Sequence, residues 1–368
     1  MRNRQNSCRL TWLIAVVIGL VASFNSSAQK LRPPNNPPPA RKHSAAASKI
    51  KTPPPVYESI GNIERLDPSL DALIPSGAKI EKLAEGFTWA EGPVWIRQGD
   101  YLLFSDVPKN VVHKWQEGSA TSIFLKNSGY SAGQGREGEP GSNGLTTDSQ
   151  GRLVLCQHGN RQIARLERDG KLSPVARYYE WRRFNSPNDL VYKSNGDLCF
   201  TDPPYGLVKG NDDPAKELNF SGVFRVNSKG DVTLLTDELT FPNGIAFSPD
   251  EKTLYVNVSD PKRAVIMSYP VLPDGKLGRG HVLFDATTLV GDKNPGLPDG
   301  LKVDKKGNLF TTGPGGVLVL SPEGKHLGTI RTGVPTANCA WGGNGSVLYI
   351  TANHWLCRIQ TSTIGEGF

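Results

Sequence analysis

The stretch from Phe241 to Val258, FPNGIAFSPDEKTLYVNV, contains the pattern that decides the fold. A polar residue, Asn243, opens a short apolar run, the turn SPDEK follows, and a second run, TLYVNV, is rich in β-branched and aromatic residues. A third run, AVIMSY, comes after another short turn. Short strand-like runs that alternate with Gly, Pro, Asn and Asp turns predict an antiparallel sheet.

This pattern occurs six times along the chain, each time behind a polar opening residue. The six opening residues are Glu91, Asn143, Asn188, Asn243, Asp299 and Asn338, at spacings of 52, 45, 55, 56 and 39. Most of the units continue into a fourth, more polar run. Units of about fifty residues with four short strands each are typical of β-propeller blades. The sequence therefore predicts an all-β fold, a six-bladed β-propeller with four-stranded blades, whereas a β-sandwich would not explain six similar beginnings.

The two ends of the repeat region predict how the ring closes. The last unit lacks a fourth run, whereas an unassigned strand-like run, AKIEKLA at residues 78–84, precedes the first unit. We expect this N-terminal strand to complete the sixth blade. Closure of this kind removes the exposed edges of an open sheet.

The composition agrees with a turn-rich β protein. The 368 residues include 40 Gly and 28 Pro, and 37% are hydrophobic. This profile argues against a helical bundle, a coiled coil and a polytopic membrane protein.

The N-terminus is typical of a secretory signal peptide at residues 1–28. Arg2, Arg4 and Arg9 precede an apolar run at residues 10–22, and small residues follow it. The run is shorter than the roughly 20 residues that span a bilayer as a helix. We expect a secreted or periplasmic protein with no stable membrane span after cleavage, and an uncleaved anchor is the alternative.

The positive charge of the chain is concentrated in front of the repeats. Residues 29–56 are rich in Pro, Lys, Ala and Ser, which predicts a basic, flexible linker before a propeller domain at 57–368. The chain carries a net charge of +7, but residues 1–56 hold nine of its 42 Lys and Arg and no Asp or Glu. The remaining 33 basic and 35 acidic residues give the domain a charge of −2. We therefore expect no nucleic-acid partner.

Four cysteines follow the leader, at Cys156, Cys199, Cys339 and Cys357. All four lie in apolar strand-like runs, where buried free thiols are common, while an exported protein can also form disulfides. Both alternatives remain open at this stage. No spacing of Cys or His residues suggests zinc.

The six opening residues predict a polar ring on the propeller axis, because the first strand of each blade lines the central channel. The ring would contain two carboxylates and four amides, with no basic residue among them. Carboxylates in close proximity need a cation or a shared proton. Oxygen donors without His or Cys favour a hard cation, and Ca²⁺ accepts irregular mixtures of such donors. Polar residues that only cap strands and bind channel water are the alternative.

Seven short stretches give the chain a wider resemblance. They are EGPVW (91–95), PGSNGL (140–145), CQHGNR (156–161), NSPNDLV (185–191), FTDPPYG (200–206), FPNGIAFS (241–248) and LPDGL (297–301). In combination, from roughly Ala78 to Thr361, they resemble the family of gluconolactonases and regucalcin. This resemblance implies a six-bladed propeller with one catalytic divalent metal.

The resemblance also implies roles for individual residues. Glu91, Asn243 and Asp299 would be metal ligands, and Asn188 would be a fourth ligand or bind substrate beside the metal. Asn143 occupies a ring position and is expected to contact substrate. In the bacterial gluconolactonase-like branch, the stretches CQHGN and DPPY line the pocket, which points to His158 and Tyr205 as substrate-binding residues.

Two further features lie between the repeats. Arg183 precedes the third unit and is predicted to orient an anionic or polyhydroxy substrate, although paired arginines such as Arg182 and Arg183 are often solvated. The Gly-rich stretch at 127–141, which contains Arg136, predicts either a mobile surface loop or a lid over the channel mouth.

These residues suggest a calcium-dependent lactonase that opens a sugar lactone, with Ca²⁺ or another divalent cation as cofactor. Asp299 is expected to be both ligand and general base for the attacking water, beside a cation that polarises the carbonyl. No Gly-x-Ser-x-Gly elbow is present, which argues against a serine nucleophile. The alternatives are a non-catalytic sugar- or metal-binding propeller and a calcium-dependent hydrolase of phosphoesters or phosphofluoridates.

Overall fold

A computed structural model describes residues 55–133 and 136–368 of the chain. The predicted signal peptide and all but the end of the predicted linker lie outside these ranges, so both stay predictions. The helices within the described ranges are short 3-10 turns, at Pro68–Ala72, Gly210–Asp212 and Thr287–Leu289. None of them has the length and apolar character needed to cross a bilayer.

The rest of the domain consists of short antiparallel strands. Three strands precede the first repeat: β1 (Glu58–Ile60), β2 (Asn62–Arg65) and β3 (Ile80–Glu85). Blades 1 to 3 contain β4 (Ala90–Ile96), β5 (Tyr101–Asp106), β6 (Val111–Trp115), β7 (Ser122–Lys126), β8 (Ser142–Thr147), β9 (Leu153–Gln157), β10 (Gln162–Leu166), β11 (Leu172–Ala176), β14 (Leu190–Tyr192), β15 (Leu198–Asp202), β16 (Gly222–Val226) and β17 (Val232–Thr236). A two-stranded hairpin, β12 (Tyr178–Tyr179) and β13 (Arg182–Arg183), lies between blades 2 and 3.

Blades 4 to 6 follow the same order from strand to strand. They contain β18 (Pro242–Phe247), β19 (Thr253–Asp260), β20 (Arg263–Pro270), β21 (His281–Asp285), β22 (Leu301–Val303), β23 (Leu309–Gly313), β24 (Gly316–Leu320), β25 (His326–Arg331), β26 (Asn338–Gly342), β27 (Val347–Ala352) and β28 (Trp355–Gln360). The predicted six-bladed propeller is confirmed.

The ring closes through the N-terminal strand, as expected. Strand β3 pairs antiparallel with β28, with Ala84 opposite Leu356, and so supplies the fourth strand of blade 6. Two outer strands were not expected from the sequence: β1 pairs with β3, and β2 pairs with β25 of blade 5. Both cover edges that the last two blades would otherwise leave unpaired.

Apolar side chains fill the spaces between neighbouring blades. Between blades 2 and 3, for example, Val154 packs with Phe184, Phe200 and Phe224. The rings of Phe184 and Phe200 meet edge to face, with centroids 5.0 Å apart. Cys156, Cys199, Cys339 and Cys357 are buried in this apolar material as free thiols, which answers the question that the sequence left open.

Hydrogen bonds join every blade to the next one near the channel axis. The bonds that cross the six seams are Ser105 Oγ to Asn143 O (2.9 Å), Gly144 N to Asn188 O (2.7 Å), Thr201 Oγ1 to Asn243 O (2.7 Å), Gly244 N to Asp299 O (2.9 Å), Gly300 N to Ala337 O (2.8 Å) and Asn338 Nδ2 to Glu91 Oε1 (3.4 Å). Each bond involves an opening residue or its immediate neighbour. The opening residues of all six blades are thereby held in one ring.

The close contact at the fourth seam explains the glycine that follows Asn243. A Cβ atom on Gly244 would lie 2.1 Å from the main-chain oxygen of Asp299 and 2.7 Å from the Cα atom of Gly300. Both are backbone atoms of the next blade, which cannot rotate away as a side chain could. The glycine therefore permits the two blades to approach each other at the ring.

We predict that Gly244→Ala destabilises the domain, because the added methyl group must push two blades apart. Overpacking of this kind costs roughly 1–3 kcal/mol of unfolding free energy. Gly291→Ala is the matched control, since its Cβ would have no atom within 4 Å, and it should leave stability unchanged or slightly higher. Urea unfolding measures both, and equal midpoints for the two variants would contradict the seam contact.

Candidate functional site

The first strands of blades 1, 2 and 4 carry β-bulges at their polar opening residues. In blade 1, Glu91 lies opposite Ser105 and Val94 opposite Leu103, so β4 has one residue more than β5 between the two pairs. The same irregularity occurs at Asn143 in β8 and Asn243 in β18. A bulge bends the strand and redirects a side chain. It accounts for a polar residue that faces the axis at the start of an otherwise apolar strand.

In blades 3 and 5 the opening residue precedes the regular strand. Asn188 N donates to Thr201 O at 2.8 Å, and Thr312 N donates to the oxygen of Gly300, the residue after Asp299, at 2.9 Å. These bonds continue the pairing with the second strand beyond β14 and β22. Each opening residue therefore lies where pairing with the second strand of its blade begins, as expected. In blades 3 and 5 the regular strand itself begins two residues later.

Four oxygens of the ring are buried and have no hydrogen-bond partner. They are the Oδ1 atoms of Asn143, Asn188, Asn243 and Asp299. A buried polar oxygen without a partner costs about 1–3 kcal/mol, so four of them in one ring need an explanation. Oxygen atoms of carboxylates and amides are the donors that hard divalent cations take. The donor set therefore fits the cation that the sequence implies.

Neighbouring groups fix the orientation of two ring side chains. Asn243 Nδ2 donates to Ser259 Oγ at 3.0 Å, which leaves Oδ1 free. Asn338 differs, because its Oδ1 accepts from Cys339 N at 2.9 Å and its Nδ2 donates to Glu91. Both polar atoms of Asn338 are thus engaged in holding the ring, and Glu91 keeps lone pairs available for a cation.

Both carboxyl groups of the ring have a raised pKa, mainly because they are buried. Burial raises the pKa of Glu91 well above its usual value, and the nearby charge of Asp189 raises it further. Burial likewise raises the pKa of Asp299, and the charges of Glu91 and Asp189 raise it further. A positive ion between these groups would reverse the effect, because it favours the ionised carboxylates. Within the described ranges, no three His, Cys, Asp or Glu side chains are spaced as a metal cluster, so a cation would need the amide oxygens.

Two charged residues of the channel were missed from the sequence. Asp189, which follows Asn188, is 2% exposed and its Oδ2 has no hydrogen-bond partner. The ammonium group of Lys302 lies 4.0 Å from that oxygen and donates to Leu301 O at 2.9 Å. No ring member is basic, but this lysine lies close to Asp189, the residue that follows ring member Asn188.

The repeat contains a signal that could have identified the lysine. The third position after each opening residue lines one channel cavity of about 600 Å³: these residues are Val94, Thr146, Val191, Ala246, Lys302 and Trp341. Five of them are uncharged. An alignment of the six repeats would therefore have shown one cation on the channel wall.

His158 lies in a turn after β9 and is completely buried. Neither ring nitrogen makes a hydrogen bond, but the carboxylate of Glu139 lies 3.5 Å from Nδ1. The main-chain nitrogen of His158 donates to Gly141 O at 3.1 Å, which attaches this turn to the end of the Gly-rich stretch. The turn that carries the imidazole is therefore held in place, and both ring nitrogens keep free hydrogen-bonding capacity.

Tyr205 lies on the loop after β15, close to the ring. Its side chain stacks on Phe241 with centroids 5.9 Å apart, and its hydroxyl group has no hydrogen-bond partner. Burial raises the pKa of the hydroxyl, and the charge of Asp299 raises it further. The hydroxyl is thus a neutral donor beside the ring carboxylate.

Two arginines hold the loops around these side chains. Arg136 donates to Gly159 O at 2.5 Å and to Gly206 O at 2.6 Å, and so connects the turn of His158 with the loop of Tyr205. Arg183 donates from Nη2 to Asn160 O at 2.8 Å. Its guanidinium group supports the same turn, and its predicted contact with substrate stays a prediction.

The comparisons with known proteins agree with this geometry. Residues 89–354 match the family model described as the SMP-30/Gluconolactonase/LRE-like region. The chain belongs to this family. A gluconolactonase of Zymomonas mobilis is 41% identical over 315 residues, which cover 83% of this chain and 88% of that protein. The family match at residues 89–354 includes every predicted site residue.

Two other family members show how far the similarity extends. A solved gluconolactonase structure from Xanthomonas campestris superposes with a TM-score of 0.73 at 30% identity, and covers 84% of this chain and 99% of that one. Regucalcin of Macaca fascicularis is 26% identical over 75% of this chain and 87% of its own length. The resemblance noted from the sequence is confirmed, and it places the chain among gluconolactonase-like lactone hydrolases.

One buried carboxyl group supports the site of this family member from outside the ring. Asp202, at the end of β15, accepts hydrogen bonds from Asn185 N at 2.7 Å and Ser186 N at 2.8 Å. These bonds hold the segment that leads to Asn188. Burial raises the pKa of Asp202 to about 7, although the two main-chain donors partly offset the effect.

We predict that Asp202 makes the domain less stable as pH rises from about 4 to about 7. In that range the unfolded state has lost this proton while the folded state retains it, so raising the pH favours unfolding. The loss is at most roughly 4 kcal/mol relative to Asp202→Asn, which cannot ionise. Urea unfolding of both proteins at pH 4, 5.5, 7 and 8 tests this. A stability difference that is constant with pH would contradict the raised pKa.

Proposed function

We propose that this protein is an exported, divalent-metal-dependent lactonase that opens a sugar lactone by hydrolysis. The proposal rests on the four buried ring oxygens that have no hydrogen-bond partner. They belong to a chain that is 41% identical to a gluconolactonase. A purely structural ring would pair these oxygens with donors, as Asn338 does. The unpaired oxygens support a ring that binds a cation.

The cation would be held by Glu91, Asn243 and Asp299, with Asn188 as a fourth ligand or as a substrate contact. Ca²⁺ fits the mixture of carboxylate and amide oxygens best, because it tolerates irregular coordination. When bound, it would polarise the lactone carbonyl and favour the ionised carboxylates.

Asp299 is the residue that we assign as general base. It has one oxygen, Oδ1, that is free of protein partners, and Tyr205 and Asn243 lie close by. In its ionised form the carboxylate accepts a proton from a water molecule, and that water attacks the carbonyl carbon. The ester C–O bond of the lactone ring then breaks, and the proton passes from Asp299 to the departing ring oxygen. Gly244 N and Asn257 Nδ2 both donate to the main-chain oxygen of Asp299, at 2.9 and 2.6 Å, which holds the base in position.

The remaining groups suit a substrate with several hydroxyl groups. His158 Nε2 and the hydroxyl of Tyr205 are buried polar atoms without partners, and Asn143 Oδ1 is a third. Each could exchange a hydrogen bond with a sugar hydroxyl, and would remain unpaired with an apolar lactone. We infer a polyhydroxy lactone of the gluconolactone class on this basis.

The test is a pH-stat assay of the purified protein with glucono-lactone and related aldonolactones, with and without chelator. We expect hydrolysis that a chelator abolishes and Ca²⁺ restores. A folded protein that binds Ca²⁺ without turnover would instead support a non-catalytic binding propeller. Hydrolysis of a phosphoester or phosphofluoridate, with inert lactones, would favour the second alternative.

Two variants separate the roles within the same assay. Glu91→Gln should mainly weaken metal binding, so excess Ca²⁺ should restore part of its rate. Asp299→Asn keeps an oxygen for the cation but cannot accept the proton, and loss of a general base typically costs about 10²–10⁴ in rate. The measured quantities are kcat at saturating Ca²⁺ and bound metal per chain. Near-normal kcat in a metal-filled Asp299→Asn variant would assign the base to another group, with His158 next.

We further propose that the chain is exported and cleaved near Gln29, as its leader suggests. The basic residues, the short apolar run and the small residues in front of Gln29 support this proposal. N-terminal sequencing of protein from the medium or periplasm should find a mature end near this residue. Recovery of a chain that keeps Met1 would favour a membrane anchor instead.

A further inference from the structure

The charges that surround the ring do not belong to the predicted ligands alone. Asp189 is almost completely buried, and the ammonium group of Lys302 is the cation closest to it, at 4.0 Å from Oδ2. The separation is longer than a hydrogen bond, and Asp189 Oδ2 has no other partner. An unpaired carboxylate this deep in a channel is costly, so its presence calls for a positive charge nearby.

The charged groups around the ring include one that is only partly buried, because the side chain of Lys302 is 29% exposed. Three carboxylates, Glu91, Asp189 and Asp299, face one ammonium group, Lys302, which leaves a net charge of −2 when all are ionised. The charge of Glu139, whose side chain is 37% exposed, acts on Asp299 less than the charges of Glu91 and Asp189, because water screens it more. A divalent cation neutralises the remainder, whereas a monovalent or trivalent one does not.

We propose that Asp189 and Lys302 form a charge-setting pair that matches the ring to a divalent cation. Neither residue is a ligand in this proposal, and both act through the field at the ring. The inference rests on the cation site of the proposed function. It adds the residues that would set how strongly the site discriminates between cations of different charge.

The pair can be tested by changing the net charge in single steps. Lys302→Met leaves a charge of −3, Asp189→Asn leaves −1, and the double variant returns to −2. Asp189 Oδ1 accepts from Leu190 N at 2.9 Å, and an asparagine can keep that bond with its own oxygen. Lys302→Arg keeps the charge, and Lys306→Met, at an exposed position in the next turn, is the matched control for loss of a lysine.

The measurement is the affinity of each metal-free, folded variant for Ca²⁺ alone and for Tb³⁺ alone, by titration calorimetry at one pH. Coulomb energies scale with the product of the charges. The change in the logarithm of the affinity should therefore be about 1.5 times as large for Tb³⁺ as for Ca²⁺. For Lys302→Met we expect about tenfold tighter Ca²⁺ binding and about thirtyfold tighter Tb³⁺ binding. Asp189→Asn should weaken both by similar factors. The double variant, Lys302→Arg and Lys306→Met should stay within about threefold of the wild type.

The outcomes distinguish this inference from the proposed function. Single variants with unchanged affinities, or equal factors for Ca²⁺ and Tb³⁺, would overturn the charge-setting pair while the cation site itself stands. Failure of the double variant to recover would show that the two residues act through local structure, which also overturns it. If the wild-type protein binds neither cation, the cation site falls, and the pair falls with it.

Discussion

The closure of the propeller ring is the constraint on which the rest of this structure depends. Strand β3 from the N-terminal side completes a blade whose other strands come from the C-terminus. Because the ring is closed, each opening residue has a neighbour on both sides, and the six seam bonds form a continuous circle around the axis. A sheet with one open seam would separate Asn338 from Glu91. The predicted ligands would then no longer face one point.

This circle brings the like charges of Glu91 and Asp299 together in the interior of the propeller. Burial of Glu91 and Asp299 raises the pKa of both carboxyl groups. The charge of Asp189 raises both pKa values further, and the charge of Glu91 also raises that of Asp299. The fold stabilises this arrangement with apolar packing between blades and with main-chain bonds at the seams. The ring is electrostatically unfavourable without a cation, and this is the physical basis of the metal site proposed above.

The residues around the ring add unpaired polar atoms and two charged side chains to the site. His158, Tyr205 and Asn143 offer unpaired polar atoms, while Arg136 ties the loops that carry the first two. Lys302 and Asp189 alter the charge without occupying a ligand position. The comparisons place the chain in its family, and these contacts are observations on its own structure.

The sequence alone determined the repeat, the number of blades, the closing strand and the ring residues, because these follow from a local pattern that recurs six times. It could not determine that both polar atoms of Asn338 are engaged while Asn243 keeps its Oδ1 atom without a partner, since this depends on side-chain orientation. Nor could it pair Asp189 with Lys302, which are far apart in the chain and meet only when blades 3 and 5 face the same channel. Contacts between residues of different blades across the axis do not recur with the repeat in the sequence. Only the closed tertiary structure decided them.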